Sequence, residues 1–299
     1  MELQDILNDA GASSALNHKT FVLDGAANLI ARTHQGFLVS SQRRLELTLR
    51  VGLIVPSSNV TMETEIPLYL GRHALSKGQQ ITFHSSRTRM KKVTAHELRN
   101  MATDSERCAR EIADANVDVV AHACLVATMF MGTGAHRELE GSLSQAISDE
   151  GTSVPAITSA GALVRTLKRM NASKIALVAP YKPELTSMVE EYLNAEGLRV
   201  VRSISLSEPD NRKVAQLDES KLAEHVATLG ADSVDAVIAS ACVQMPSLKA
   251  LRVLASEFRV PVVSASLCTA IEIASHLHLV TDHQGVGDLA KALVLGATA

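Results

Sequence analysis

Three apolar runs of this chain occur twice, in the same order and at similar spacing, and that duplication restricts the fold more than any other feature. RVGLIVPSSN at 50–59 resembles KIALVAPYKP at 174–183, each a basic residue, an apolar run, then proline and polar residues. VDVVAHACLVATM at 117–129 matches VDAVIASACVQMP at 234–246, and VPAITSA at 154–160 matches VPVVSAS at 260–266. Short, almost wholly apolar runs bounded by small or polar residues read as strands of a parallel sheet covered on both faces. Between them, 95–116 opens with a Thr94/Glu97 capping-box spacing, 182–196 stops at Gly197, and 217–230 also has helical spacing. Strand and helix alternating in this way predict an α/β protein with parallel sheets.

A chain of 299 residues, 46% of them hydrophobic, can build two modest cores. The repeat places the first α/β domain at 49–159 and the second at 160–266. The helices after Ala160 and Ser266 carry the chain across and back, so 267–299 rejoins the first domain. Residues 1–48 lie outside the repeat. Leu3, Ile6, Leu7 and Ala10 fit a short helix, and 21–39 reads as a hairpin or a helix-turn unit. This extension is expected to pack on the first domain or at a subunit contact.

Aromatic residues make up 3% of the chain, Trp is absent and the formal charge is −3, which offers nucleic acid neither stacking platforms nor a basic footprint. The first residues are acidic and no long uncharged apolar run follows, so neither a signal peptide nor a membrane span is expected, and the cytoplasm is the expected location. Four cysteines, Cys108, Cys124, Cys242 and Cys268, are too few and too spread for a disulfide scaffold.

Ligands of open parallel sheets bind beyond the carboxyl ends of the strands, where Pro56 to Asn59, Cys124 to Thr128, Tyr181 and Cys242 to Gln244 should converge. A single free cysteine is often a small buried apolar residue. Two at matching strand ends are different: Cys124 and Cys242 are expected to face each other across a cleft. Backbone N–H groups of Leu125, Val126 and Ala127 at a strand-to-helix turn would draw the Cys124 thiol toward the thiolate. Cys108 and Cys268 have no such counterpart and read as structural. PSSN at 56–59 precedes a helix whose first turn holds Thr61, Glu63 and Glu65, a start that suits a carboxylate, with the Asn59 amide as a further donor. The glycines of MGTGAH at 131–136 shape a loop without making a phosphate or dinucleotide motif. His122 shares a strand face with Cys124, which raises a metal site or a Cys/His dyad, but no further ligands accompany it and no metal is expected. Tyr181 and Asn211 sit in loops whose polar tips reach the crevice.

Taken together, RVGLIVPSSNVTMETEIP, HACLVATM, APY, EPDN and SACVQMPSL resemble the maleate cis-trans isomerases of the aspartate/glutamate racemase superfamily, to which arylmalonate decarboxylase is related. The resemblance covers about residues 49 to 290. It implies a cofactor-independent enzyme of two Rossmann-like domains related by pseudo-twofold symmetry, assembled as a homodimer or higher homo-oligomer. It also implies Cys124 as nucleophile, Cys242 as its partner, and Asn59, Tyr181 and Asn211 as holders of the two carboxylates of a small dicarboxylate, with Leu125, Val126 and Val243 completing the substrate-binding set. The decarboxylase keeps only the second-half cysteine, so two thiols speak against decarboxylation. Racemases of amino acids or hydantoins have both and remain an alternative. A non-catalytic binding protein for small acids is a second one, from another class.

Overall fold

The fold is described from a computed structural model over residues 20–23, 29–33, 36–37, 48–230, 232–280 and 285–296. In the amino-terminal extension β1 (Thr20–Leu23) pairs antiparallel with β2 (Leu29–Thr33), and β2 with β3 (Gly36–Phe37), so of the two readings of 21–39 the described residues fit the hairpin. The helix expected near Leu3 to Ala10 lies outside the described residues.

From residue 48 onward strands and helices alternate. The first half runs β4 (Thr48–Pro56), α1 (Met62–Ser76), β5 (Gln80–Thr88), α2 (Ala95–Ala113), β6 (Val119–His122), α3 (Leu125–Phe130), α4 (Ala135–Ser148), β7 (Ala156–Thr158) and α5 (Ser159–Arg169). The second runs β8 (Lys174–Ala179), α6 (Pro183–Ala195), β9 (Arg199–Ser205), α7 (Asn211–Val214), α8 (Glu219–Leu229), β10 (Ala236–Ser240), α9 (Leu248–Glu257), β11 (Val262–Ser264), α10 (Ala265–His276) and α11 (Val286–Gly296). The two sheets have strand orders β5-β4-β6-β7 and β9-β8-β10-β11, the same order in equivalent strands. Parallel pairing joins β4 to β6, β6 to β7, β9 to β8, β8 to β10 and β10 to β11.

The repeated sequence runs act in the same way in both sheets. The Asp118 carboxylate accepts the Arg50 N–H at the start of β4 at 2.7 Å, and that of Asp235 accepts the Ser173 and Lys174 N–H groups at the start of β8 at 2.8 Å. Each Asp therefore holds the neighbouring central strand just before its first residue paired with the Asp's own strand, Val51 in β4 and Ile175 in β8. Thr158 caps α5 by accepting from the Gly161 N–H, and Ser264 caps α10 by accepting from the Leu267 N–H, which accounts for the hydroxyls that close the VPAITSA and VPVVSAS runs. Residues 51–56 of β4, all of β6 and β10, and 175–179 of β8 are buried, whereas β5 and β9 are partly exposed edges.

α2 is capped by Thr94, whose hydroxyl accepts the Glu97 N–H at 3.3 Å. The Glu97 carboxylate reaches past the cap to the Lys91 and Lys92 N–H groups, so the box is displaced by two residues. The helix ends at Ala113 rather than at Asn116, because Asn116 takes a left-handed conformation with φ 47°. α10 packs against both α5 and α1, and α11 against α1 and α9.

Candidate active site

Each cysteine is delivered by the same backbone device. Ala123 still donates its N–H to the Ile54 carbonyl of β4, and Ala241 to the Val178 carbonyl of β8, at 2.8 and 2.9 Å. Cys124 and Cys242 are the next residues, the first to leave their sheets, at equivalent edges of the two halves. Cys124 stands in extended conformation just before α3, and both thiols are buried.

The two meet in one small cavity. Asn59, Cys124, Leu125, Val126, Tyr181, Asn211, Cys242 and Val243 all line it, so the eight residues selected from the sequence are gathered at one place. Pro56, Met90 and Gln244 complete the wall. Met90 follows edge strand β5, which the repeated runs do not include, and nothing in its own sequence context marks it. The cavity volume is about 10 Å³, the room of roughly one water molecule. Among the described residues its lining contains no Lys, Arg or His.

The polar side chains are already tied to one another. The Asn59 amide donates to the Val243 carbonyl at 3.3 Å, while its oxygen accepts the Met62 N–H at 3.0 Å and so caps α1. Thr61, placed by its sequence at the first turn, is the preceding residue and makes no side-chain cap. The Asn211 amide donates to Ser58 Oγ at 2.9 Å, joining the second half to the PSSN turn of the first. Each of these NH₂ groups keeps a second hydrogen.

Electrostatics separate the two thiols. Burial pushes the Cys124 thiol up to about 12; the Ala127 N–H pulls it down, and the neighbouring Cys242 pushes it further up. The expected lowering by the turn amides is thus present in direction but outweighed, because a cavity this small holds too little water to solvate a thiolate. Burial also raises Cys242, against which the Tyr181 hydroxyl and the Gln244 and Met245 N–H groups favour its thiolate. The Tyr181 hydroxyl itself is raised by burial and by the two sulfurs.

His122 forms no bond to Cys124. Its Nδ1 lies 3.4 Å from Thr128 Oγ1, its Nε2 is buried without a partner, and burial lowers it to about 4, so the ring is neutral. Among the described residues no group of three or more His, Cys, Asp and Glu side chains is arranged to hold a metal ion. Cys108 and Cys268 are buried within α2 and α10.

A family model described as arylmalonate decarboxylase matches residues 51–290. A maleate isomerase of Geobacillus stearothermophilus is 46% identical over 241 residues, 80% of this chain and 96% of that protein. Among solved structures, the maleate isomerase Iso of Pseudomonas putida S16, in a cysteine-to-alanine form with maleate, matches with a TM-score of 0.78 at 44% identity, over 81% of this chain and 97% of that one. A maleate cis-trans isomerase of Nocardia farcinica, with one cysteine changed to serine and a covalently bound succinylcysteine intermediate, gives 0.74 at 39% identity over 77% and 93% of the two chains.

Proposed function

The chain belongs to the arylmalonate decarboxylase family and, within it, to the maleate cis-trans isomerases, and on that footing we propose that it converts maleate to fumarate through a covalent succinyl adduct on Cys124. The observation that carries this reading is the enclosure of two thiols, one from each half, in a cavity whose other polar groups are neutral hydrogen-bond donors.

A carbon–carbon double bond does not rotate at ambient temperature, so isomerisation requires that it become single for a moment. Attack by the Cys124 thiolate on one alkene carbon forms an S–C bond and moves the π electrons toward the far carboxylate. The Cys242 thiol gives its proton to the neighbouring carbon, leaving a neutral C–H and a Cys242 thiolate. After rotation about the new single bond, Cys242 takes the proton back, the double bond re-forms in the trans geometry, and the Cys124 thiolate leaves. Each cycle returns both sulfurs to their starting state. The succinylcysteine held by the Nocardia enzyme, a protein in which another cysteine has been replaced, supports an adduct of this kind.

A thiolate approaching a dianion meets repulsion. With no cation among the described residues of the cavity wall, the second hydrogens of Asn59 and Asn211, the Tyr181 hydroxyl and the N–H groups of Leu125, Val126 and Val243 take the carboxylate charge. Hydrogen bonds to charged groups contribute roughly 1.5–3 kcal/mol each, so three or four offset much of the repulsion. The matching strand orders support two domains, 49–159 with 267–299 and 160–266. A pair of catalytic thiols suits the reducing cytoplasm, no described helix is long and apolar enough to cross a membrane, and by likeness to the family the protein acts as a homodimer or higher homo-oligomer.

Proton NMR of maleate incubated with the reduced protein tests the reading: the fumarate signal grows at the expense of maleate. Unchanged maleate, with deuterium entering the α-carbon of an amino acid or hydantoin instead, points to a racemase and overturns it.

A further inference from the structure

Gln244 closes the second cysteine loop, two residues beyond Cys242, and Val126 stands at the matching place beyond Cys124. Here the internal repeat changes from an apolar to a polar side chain. Gln244 is 2% exposed, and its bonds run to separate parts of the site. Its main-chain N–H donates to Cys242 Sγ at 3.4 Å. Side-chain Nε2 donates one hydrogen to the Ser58 carbonyl at 2.8 Å and the other to the Asn211 carbonyl at 2.9 Å, while Oε1 accepts the Val60 N–H at 3.2 Å. Its carbonyl accepts from Thr61 Oγ1 at 2.7 Å. One side chain therefore joins the turn that carries Asn59 in the first half to the start of α7, which carries Asn211 in the second.

This set of partners specifies an amide. A carboxylate would set oxygen against two carbonyls, and a thioether of the same length would bond to none of the three. Burying an amide costs free energy unless its groups are satisfied, and here all of them are, across the boundary between the halves.

Resting on the isomerase reading, we propose that Gln244 is a positioning residue that sets the separation between Asn59 and Asn211, the holders of the two carboxylates, and with it the length of diacid that the cavity accepts. Its side chain touches no reacting atom; only its main-chain N–H reaches Cys242 Sγ, and no side-chain substitution removes that group. Val126 cannot do the same for the first half, so the spacing is governed from the Cys242 side.

The test compares wild type with Gln244→Met and with Gln244→Asn, which keeps the amide but is one carbon too short to span both carbonyls. Two readouts are taken on folded, reduced protein: competition by malonate, succinate and glutarate against maleate turnover, and iodoacetamide labelling of Cys242 relative to Cys124 by peptide mass spectrometry. In wild type the four-carbon acid competes best. Both variants flatten that preference and raise KM for maleate by about tenfold or more, with a smaller change in kcat, as the loss of two or three buried hydrogen bonds implies. Cys242, on the loosened loop, labels faster relative to Cys124. A variant that keeps the sharp four-carbon preference, wild-type KM and the wild-type labelling ratio overturns the proposal. A general loss of stability lowers the active fraction and speeds labelling of both thiols alike, which also counts against it. If wild type leaves maleate unchanged, the isomerase reading fails, and the labelling ratio still decides whether Gln244 holds the Cys242 loop.

Discussion

Cys124 rests as a thiol, since burial holds its titration up at about 12, and the attack derived above needs its proton gone. Cys242 is raised too, though three hydrogen bonds favour its thiolate. Loss of one proton from the pair makes the active form. Both shifts are upward, so kcat/KM for maleate should climb as pH rises above neutrality, and a pH–rate profile that is flat or falling between 7 and 9 would contradict that assignment. Cys124→Ala should abolish turnover. Tyr181→Phe removes the hydroxyl that favours the Cys242 thiolate and faces the cavity; losing one hydrogen bond to a charged group, about 1.5–3 kcal/mol, should lower kcat/KM by roughly 10- to 100-fold in steady-state assays. Cys124 and Cys242 were legible as a pair because they repeat at matching strand ends, whereas Tyr181 was marked only by a polar tip in a loop after a strand and took its role from the family resemblance. Met90 was not legible, because an aliphatic wall residue after an exposed edge strand looks like any other.

At the scale of elements, α1 is tied to the second half by a buried carboxylate. Glu65 accepts the Ser247 and Leu248 N–H groups at 2.6 and 2.8 Å, together with the hydroxyls of Ser247 and Ser266, and so caps α9 from another helix. Burial raises its titration while these donors oppose the rise. Glu65→Ala leaves the start of α9 without partners and should cost about 2–4 kcal/mol in chemical unfolding, with Glu65→Gln costing less. Close packing sets a second limit: a Cβ on Gly52 of β4 would sit 2.3 Å from Ile112 Cγ2 of α2, so Gly52→Ala should destabilise by roughly 1–3 kcal/mol in the same assay. The central strands could be read from their unbroken apolar runs, and α2, α6 and α8 from their spacing and their start or stop residues. Edge strands β5 and β9 could not, since half-exposed strands lose that signature, and the Glu65 clasp joins residues 182 apart, which no local pattern records.

For the whole molecule, fully buried groups bound the pH range of stability, His122 at the acid end and the buried thiols, Cys124 among them, at the alkaline end. His122 titrates near 4 in the fold against 6.5 outside it, so the unfolded chain binds the extra proton and stability falls as pH drops from about 6.5 toward 4. The Cys124 shift from 9.0 to about 12 works at the other end, where the unfolded chain ionises first and stability falls as pH rises above about 9. Each group contributes a slope of about 1.4 kcal/mol per pH unit in its window. Thermal unfolding should therefore show a plateau between the two, and His122→Gln should reduce the acid slope. The claim on which the rest stands is that Cys124 bonds to the alkene. Intact-mass and peptide analysis of Cys242→Ser after incubation with maleate tests it most directly: one succinyl group on the peptide that carries Cys124, absent from Cys124→Ala, is the predicted result, and fumarate production by Cys124→Ala, or an adduct on any other residue, would contradict it.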